Sequence, residues 1–180
     1  IVIFPEKQFC KVLFCALLCK GIVIITSSSN FQITMYTGLL HLHNVLRWVI
    51  LILLLIALFQ AFTKKGGLQK TSLFLLIAAH ITLLLGLFQY FNNEAVGFHM
   101  IERLGGFGNV MKDSFARFWV VEHISAMILA IVMITVARGK VKKQNFGAAS
   151  WLSVIALVLI IAAVPWPFRE GIARSWFPGM

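Results

Sequence analysis

The residues with the greatest chemical capacity in this chain are its five histidines, His41, His43, His80, His99 and His123. A neutral imidazole can bind a metal, pass a proton or hydrogen-bond a neighbouring backbone. Three of the five interrupt long apolar runs. His80 stands in Ala78-Ala79-His80-Ile81-Thr82, His123 in Val121-Glu122-His123-Ile124-Ser125, and His43 in His41-Leu42-His43-Asn44. A polar side chain inside such a run is costly, so a functional role is the default expectation. At about 1.5 Å per residue, His80 and His123 differ in depth by roughly 6 Å, and His43 lies roughly 5 Å further out than His123. His41 and His43 are about 200° apart around a helix and cannot easily serve one ion. Arg47 shares a face with His43 at i+4. His99 lies in a polar connection and reads as solvated.

Histidines on different helices, apolar surroundings and nearby cations are what a b-type haem requires. The iron takes neutral imidazole nitrogens, and arginines near the interface suit the propionates. His43, His80 and His123 are the candidate iron ligands, with Arg47 and Arg117 as the candidate propionate partners. Ala126 and Ala130, at i+3 and i+7 from His123, would leave room for a flat macrocycle, although plain helix packing is the commoner use of small residues. The stripe Ala78, Thr82, Gly86 points largely away from His80 and reads as packing. Met127, at i+4 from His123, also reads as packing. Glu122 is a candidate proton carrier or orienting partner. Two other readings compete with haem: a proton or ion path, and histidines that bridge helices with no cofactor at all.

The elements that must position these residues are membrane helices. The chain has 180 residues, of which 60% are hydrophobic and 12% charged. Its mean hydropathy is +0.91. A soluble domain would be about 45–50% apolar and about 25% charged. Four apolar blocks have the roughly 20 residues that a bilayer crossing needs. They predict helices over about 39–62, 72–91, 116–137 and 150–168. The alternating ten-residue segments of a β-barrel are missing. The fold class expected is an all-α integral membrane four-helix bundle, up-and-down because its first and third connections are short.

Charge sets the expected orientation. Lys64, Lys65 and Lys70 follow the first block, and Arg138, Lys140, Lys142 and Lys143 follow the third, with no acidic residue among them. The positive-inside rule places both connections in the cytoplasm and both ends of the four-helix unit outside. The net charge of +10 is thereby a topology signal, and it argues against nucleic acid as a partner. Trp48, Tyr90, Trp119 and Trp166 lie near the proposed outer ends, where amphipathic rings prefer the interface. Pro165 and Pro167 stop the fourth helix, and the tail beyond is expected along the outer interface. The run Leu104-Gly105-Gly106-Phe107-Gly108 lacks the Gly-Lys-Ser/Thr ending of a phosphate loop and reads as a turn.

Residues 1–34 differ from the rest. Lys11 and Lys20 break their apolar run. They can be read as signal-like, as a weak extra helix, or as the product of a wrong upstream start before Met35; the last is the preferred expectation. Cys10, Cys15 and Cys19 all fall here. Neither a disulfide framework nor a thiolate metal site therefore supports residues 35–180, and covalent c-type haem is disfavoured by the lack of Cys-x-x-Cys-His.

Residues 35–180 resemble the small bacterial four-helix membrane proteins labelled "cytochrome B". The segments that carry the resemblance are His41-Leu42-His43-Asn44-Val45-Leu46-Arg47-Trp48, Ala78-Ala79-His80-Ile81, Val121-Glu122-His123, Pro165-Trp166-Pro167-Phe168 and Trp176-Phe177-Pro178-Gly179-Met180. The resemblance implies haem b on His43, His80 and His123, electron transfer, and residence in the bacterial inner (cytoplasmic) membrane. The partners it implies are the lipid bilayer and, for electron exchange, quinone or a respiratory partner subunit, with a homo-oligomer as a further option. It suits an electron-transfer or accessory subunit better than a complete enzyme. The alternative expectation is a non-redox membrane subunit, such as a small transporter or an assembly or scaffold protein, in which histidines bridge helices.

Overall fold

The computed structural model describes the backbone of residues 6–63, 66–174 and 176, and the side chains of these from residue 35 onward. The chain divides into two compact units, Ile1–Leu40 and His41–Met180. In the first, the described backbone is helical from Glu6 onward, within the helix α1 (Glu6–Thr63). The readings given above for residues 1–34, and the three cysteines, concern side chains outside the described residues.

The second unit continues with α2 (Leu68–Asn92), α3 (His99–Arg103), α4 (Phe107–Lys112), α5 (Ser114–Arg117), a π-helical turn (Phe118–Glu122), α6 (His123–Lys142) and α7 (Phe146–Ala163). No strand occurs among the described residues. Four helical stretches are long and apolar enough to cross a membrane: Met35–Thr63, Leu68–Asn92, Ser114–Lys142 and Phe146–Ala163. Helices suit this role because each satisfies its own backbone hydrogen bonds where no water is present.

One core joins the four. Its fully closed positions include Leu54, Ala79, Ala130 and Ala156, each 0% exposed and each from a different helix. Alanine is the commonest residue inside. Along α7 the buried set is Ala149, Ser150, Ser153, Ala156, Ile160 and Ala163, and along α6 it is Ala130, Ile134, Ala137 and Val141. Spacings of four and three, with Ser150 beside Ala149, keep each set on one face, and the two helices pack together. Small side chains let helix backbones approach closely, which is how helices associate when the solvent is itself apolar. The large apolar side chains lie outside: Leu84 is 68% exposed, Trp151 72% and Val158 60%. An alanine-rich interior under so many exposed large apolar residues is the distribution of a protein dissolved in lipid, and this is a multi-pass membrane protein. The buried hydroxyls of Ser72, Ser150 and Ser153 donate to carbonyls four residues back, at 2.7, 2.8 and 2.8 Å. None therefore enters the core unsatisfied.

The observed helix limits differ from the expected ones in ways that local chemistry explains. The third span runs on to Lys142, so Arg138, Lys140 and Lys142 sit on the helix rather than in a loop. Cations are favourable in a last turn because the free carbonyls there carry partial negative charge. The fourth helix starts at Phe146, where Asn145 accepts the Ala148 N–H at 3.2 Å. It stops at Ala163 and not at residue 168: Val164 is extended (ψ 132°), as a residue preceding proline prefers. The third span opens at Ser114, capped by Asp113 accepting the Ala116 N–H at 2.7 Å. The connection between the second and third spans is not a plain loop. Its short helices close a small core of Met100, Val110, Ala116 and Val120. The glycine run does turn there, with Gly105 and Gly106 at φ 74° and 123°.

Candidate functional site

Two of the three candidate histidines, His43 and His123, face into the helical unit within electrostatic reach of each other, and the third faces outward. His43 on α1 is half-buried, and its ring lies against α2. A Cβ added at Gly86 would stand 3.2 Å from His43 Cε1, so the bare glycine is what lets the imidazole seat there. The ring also adjoins the Thr82 backbone, one turn away, and both His123 and Arg47 are near enough to act on it electrostatically. The small-residue stripe of α2 thus packs, as expected, but its neighbour at Gly86 is a histidine.

His123 follows the π-helical turn directly. Its Nδ1 is 2.8 Å from the carbonyl oxygen of Ala163, across on α7. A carbonyl only accepts, so Nδ1 carries a proton, and in the neutral ring Nε2 is the nitrogen with the lone pair. The carbonyl is itself available because Ala163 is the last residue of its helix, where no following N–H completes the ladder. Phe118 and Trp119 flank the imidazole, with ring centroids 5.8 and 5.6 Å away.

His80 is exposed on the outside of the unit. Its Nδ1 is 2.9 Å from the Leu76 carbonyl, four residues back on its own helix. It is six residues from Gly86, and at about 100° per residue that is a different face of α2 from the one that receives His43. His99 is exposed, as expected, but its Nε2 is 3.0 Å from the Phe91 carbonyl and ties the connection back to α2.

The two arginines also part company. Arg117 is paired with Glu122, Nε to Oε1 at 2.7 Å, and donates through Nη1 to the Met111 carbonyl at 3.1 Å. Glu122 is therefore engaged with Arg117, and the group that orients His123 is a backbone carbonyl. Arg47 has no carboxylate partner among the described residues. Its Nη2 donates to the Trp176 carbonyl at 3.0 Å, and Trp48 Nε1 donates to the same oxygen at 3.0 Å. Its guanidinium lies 5.3 Å from the Trp48 ring and 5.9 Å from the Trp166 ring, within cation–π range. Trp48 also stacks on Trp176, centroids 6.1 Å apart. The tail thus folds back onto this end of the helices.

Three buried polar atoms at this end have no hydrogen-bond partner: His43 Nδ1, Arg47 Nε and Trp119 Nε1. Such atoms are rare in folded proteins and call for a physical explanation. Ala126, Ala130 and Met127 give none, since Ala130 belongs to the core and Met127 packs against it. Sequence reasoning missed four contributors here: Gly86 as the seat of His43, the carbonyls of Ala163 and Trp176, and the Trp119 indole. Backbone carbonyls have no sequence signal, whereas a lone glycine within a helix is a recognised sign of close approach.

No group of three or more His, Cys, Asp or Glu placed to hold a bare metal ion exists among the described residues. Haem iron has weaker demands, because the macrocycle supplies four ligands and the protein one or two. The polar atoms available at this end are a histidine oriented through Nδ1, a second with an unsatisfied buried nitrogen, and an arginine with an unused N–H. Comparison with models of known protein families, with curated proteins and with solved structures finds no match for this chain.

Proposed function

We propose that the protein is a membrane electron carrier that binds haem b at the tryptophan-rich end of its helices, with His43 and His123 as iron ligands and Arg47 as the propionate partner. The observation that carries this reading is the 2.8 Å contact from His123 Nδ1 to the Ala163 carbonyl. Metal-ligating histidines are typically oriented in this way, by giving their other N–H to a carbonyl or carboxylate. Bound haem supplies a one-electron redox centre, and the chain sets its position and surroundings. Ala163 holds the His123 ring in one tautomer, and Phe118 and Trp119 shield it from water. Gly86 fixes the depth at which His43 can sit. Arg47, held by the Trp176 carbonyl, offers Nε to an anionic group. Arg117 and His80 fall outside this set, the first through its pairing with Glu122 and the second through its outward face.

On the same reading the four helices run up and down, the two basic connections face the cytoplasm and the histidine end faces outward. The reading takes up the resemblance to the small bacterial proteins labelled "cytochrome B", and with it residence in a bacterial inner membrane. Electrons would pass to or from quinone or a respiratory partner subunit.

One observation favours a second reading. His43 fills a groove on α2 and His123 joins α6 to α7, which is also what histidines do when they only bridge helices. A dithionite-reduced minus oxidised spectrum of the full chain, purified in mild detergent after expression with ample haem, separates the two. A sharp b-type band is the expected result, and a colourless, well-folded protein would leave the bridging reading in its place.

A further inference from the structure

The opposite end of the helices holds a cation with no counter-charge. Arg138 is half-buried near the end of α6. Its Nη1 donates to Gln69 Oε1 at 2.6 Å and to Ser72 Oγ at 3.0 Å, both on α2. Gln69 is fixed in turn by donating its Nε2 to the Val141 carbonyl at 3.0 Å, and Ser72 by donating to the Leu68 carbonyl at 2.7 Å. These partners orient the guanidinium but are neutral, and Nε is buried with no partner. The sequence offers no remedy nearby. No Asp or Glu lies between Glu6 and Glu94, or between Glu122 and Glu170. The helix ends that meet here therefore carry no carboxylate. They carry more cations instead: Lys70 and Lys143 are exposed, and Lys142 is exposed at i+4 from Arg138, on the same face.

We infer that Arg138, with Lys142 beside it, binds the phosphate of an anionic phospholipid headgroup at the mouth between α2 and α6. A guanidinium held in a fixed orientation recognises phosphate through directed, charge-assisted hydrogen bonds. Basic pockets between membrane helices are suited to anionic headgroups. The ligand is a lipid rather than a free anion because the site lies at the end of two apolar spans, where acyl chains run alongside.

The test is the thermal unfolding midpoint of the full chain in nonionic detergent, titrated with phosphatidylglycerol or with phosphatidylcholine. Phosphatidylglycerol is expected to raise the midpoint and phosphatidylcholine to leave it nearly unchanged. Arg138→Gln should shift the half-saturating phosphatidylglycerol concentration upward by about tenfold or more, the loss of one charge-assisted contact. Gln69→Glu supplies the missing carboxylate internally, at the cost of the Nε2 donor to the Val141 carbonyl. It should fold and lose the preference for phosphatidylglycerol. Lys143→Gln should retain it. Equal response of the wild type to both lipids would overturn the inference, as would a preference that survives both Arg138→Gln and Gln69→Glu. Equal stabilisation by inorganic phosphate alone would overturn the assignment to lipid.

Discussion

The two ends of the four-helix unit are built from different materials. At one end lie five of the six acidic residues in the chain, Glu94, Glu102, Asp113, Glu122 and Glu170, together with Trp48, Trp119, Trp166 and Trp176. There the arginines have alternatives: Arg117 takes a carboxylate, and Arg47 takes a carbonyl and two aromatic faces. At the other end lie Arg138, whose hydrogen-bond partners are neutral, and the exposed Lys70, Lys142 and Lys143. Between them the core is alanine-rich and closed. Among the described residues the half-buried arginines Arg47 and Arg138 therefore lie at opposite ends, and each end handles its charge differently. The acidic and aromatic end can satisfy its cations internally and still leaves His43, Arg47 and Trp119 with unused atoms. The basic end offers Arg138 only neutral hydrogen-bond partners, and no carboxylate among the described residues is within reach.

Substitutions at the aromatic end probe that contrast most strongly. Gly86→Leu would drive a side chain into the space of the His43 ring, which an added Cβ alone would approach to 3.2 Å. It is expected to destabilise the protein by about 1–3 kcal/mol in thermal unfolding, the usual cost of overpacking. Unchanged stability would mean that the seat is loose. His123→Ala removes the link between α6 and α7 and leaves the Ala163 carbonyl without that donor. A loss of about 1–2 kcal/mol is expected. Arg117→Gln breaks a pair whose side chains are 38% and 47% exposed, so less than about 1 kcal/mol should be lost, and less still in high salt. His80→Ala removes only a contact within one helix and should change stability by no more than about 0.5 kcal/mol. If His80→Ala cost more than His123→Ala, the division between an interior and an outward histidine would be wrong.

Much of the scaffold was legible in the sequence because membrane helices declare themselves through length and hydropathy. All four expected spans overlap observed helices, and the misplaced limits fall where capping decides, at Asp113, Asn145 and Val164. The aromatic residues expected near one set of helix ends do gather there. Tyr90 joins them by donating from its hydroxyl to the Val120 carbonyl at 3.2 Å. The site was less legible. Reading by helical period pairs residues three or four apart, whereas Arg117 and Glu122 are five apart. The π-helical turn between them widens the helix and brings that spacing into register. Nothing in the side chains announces such a turn. Similarly, depth along a run can be counted from sequence, but the facing partner of His123 is a backbone carbonyl forty residues away. Treating His43, His80 and His123 as equals followed from their depth and from the resemblance, and the azimuth around each helix is what separates them.

The claim at the centre of this account is that His43 and His123 form one site while His80 stands apart. Its most direct test is the reduced-minus-oxidised spectrum of four full-length proteins: wild type, His43→Ala, His80→Ala and His123→Ala. The account predicts a b-type band in the wild type and in His80→Ala, with loss or conversion of the band in the other two. A band that disappears with His80→Ala and survives His123→Ala would contradict it.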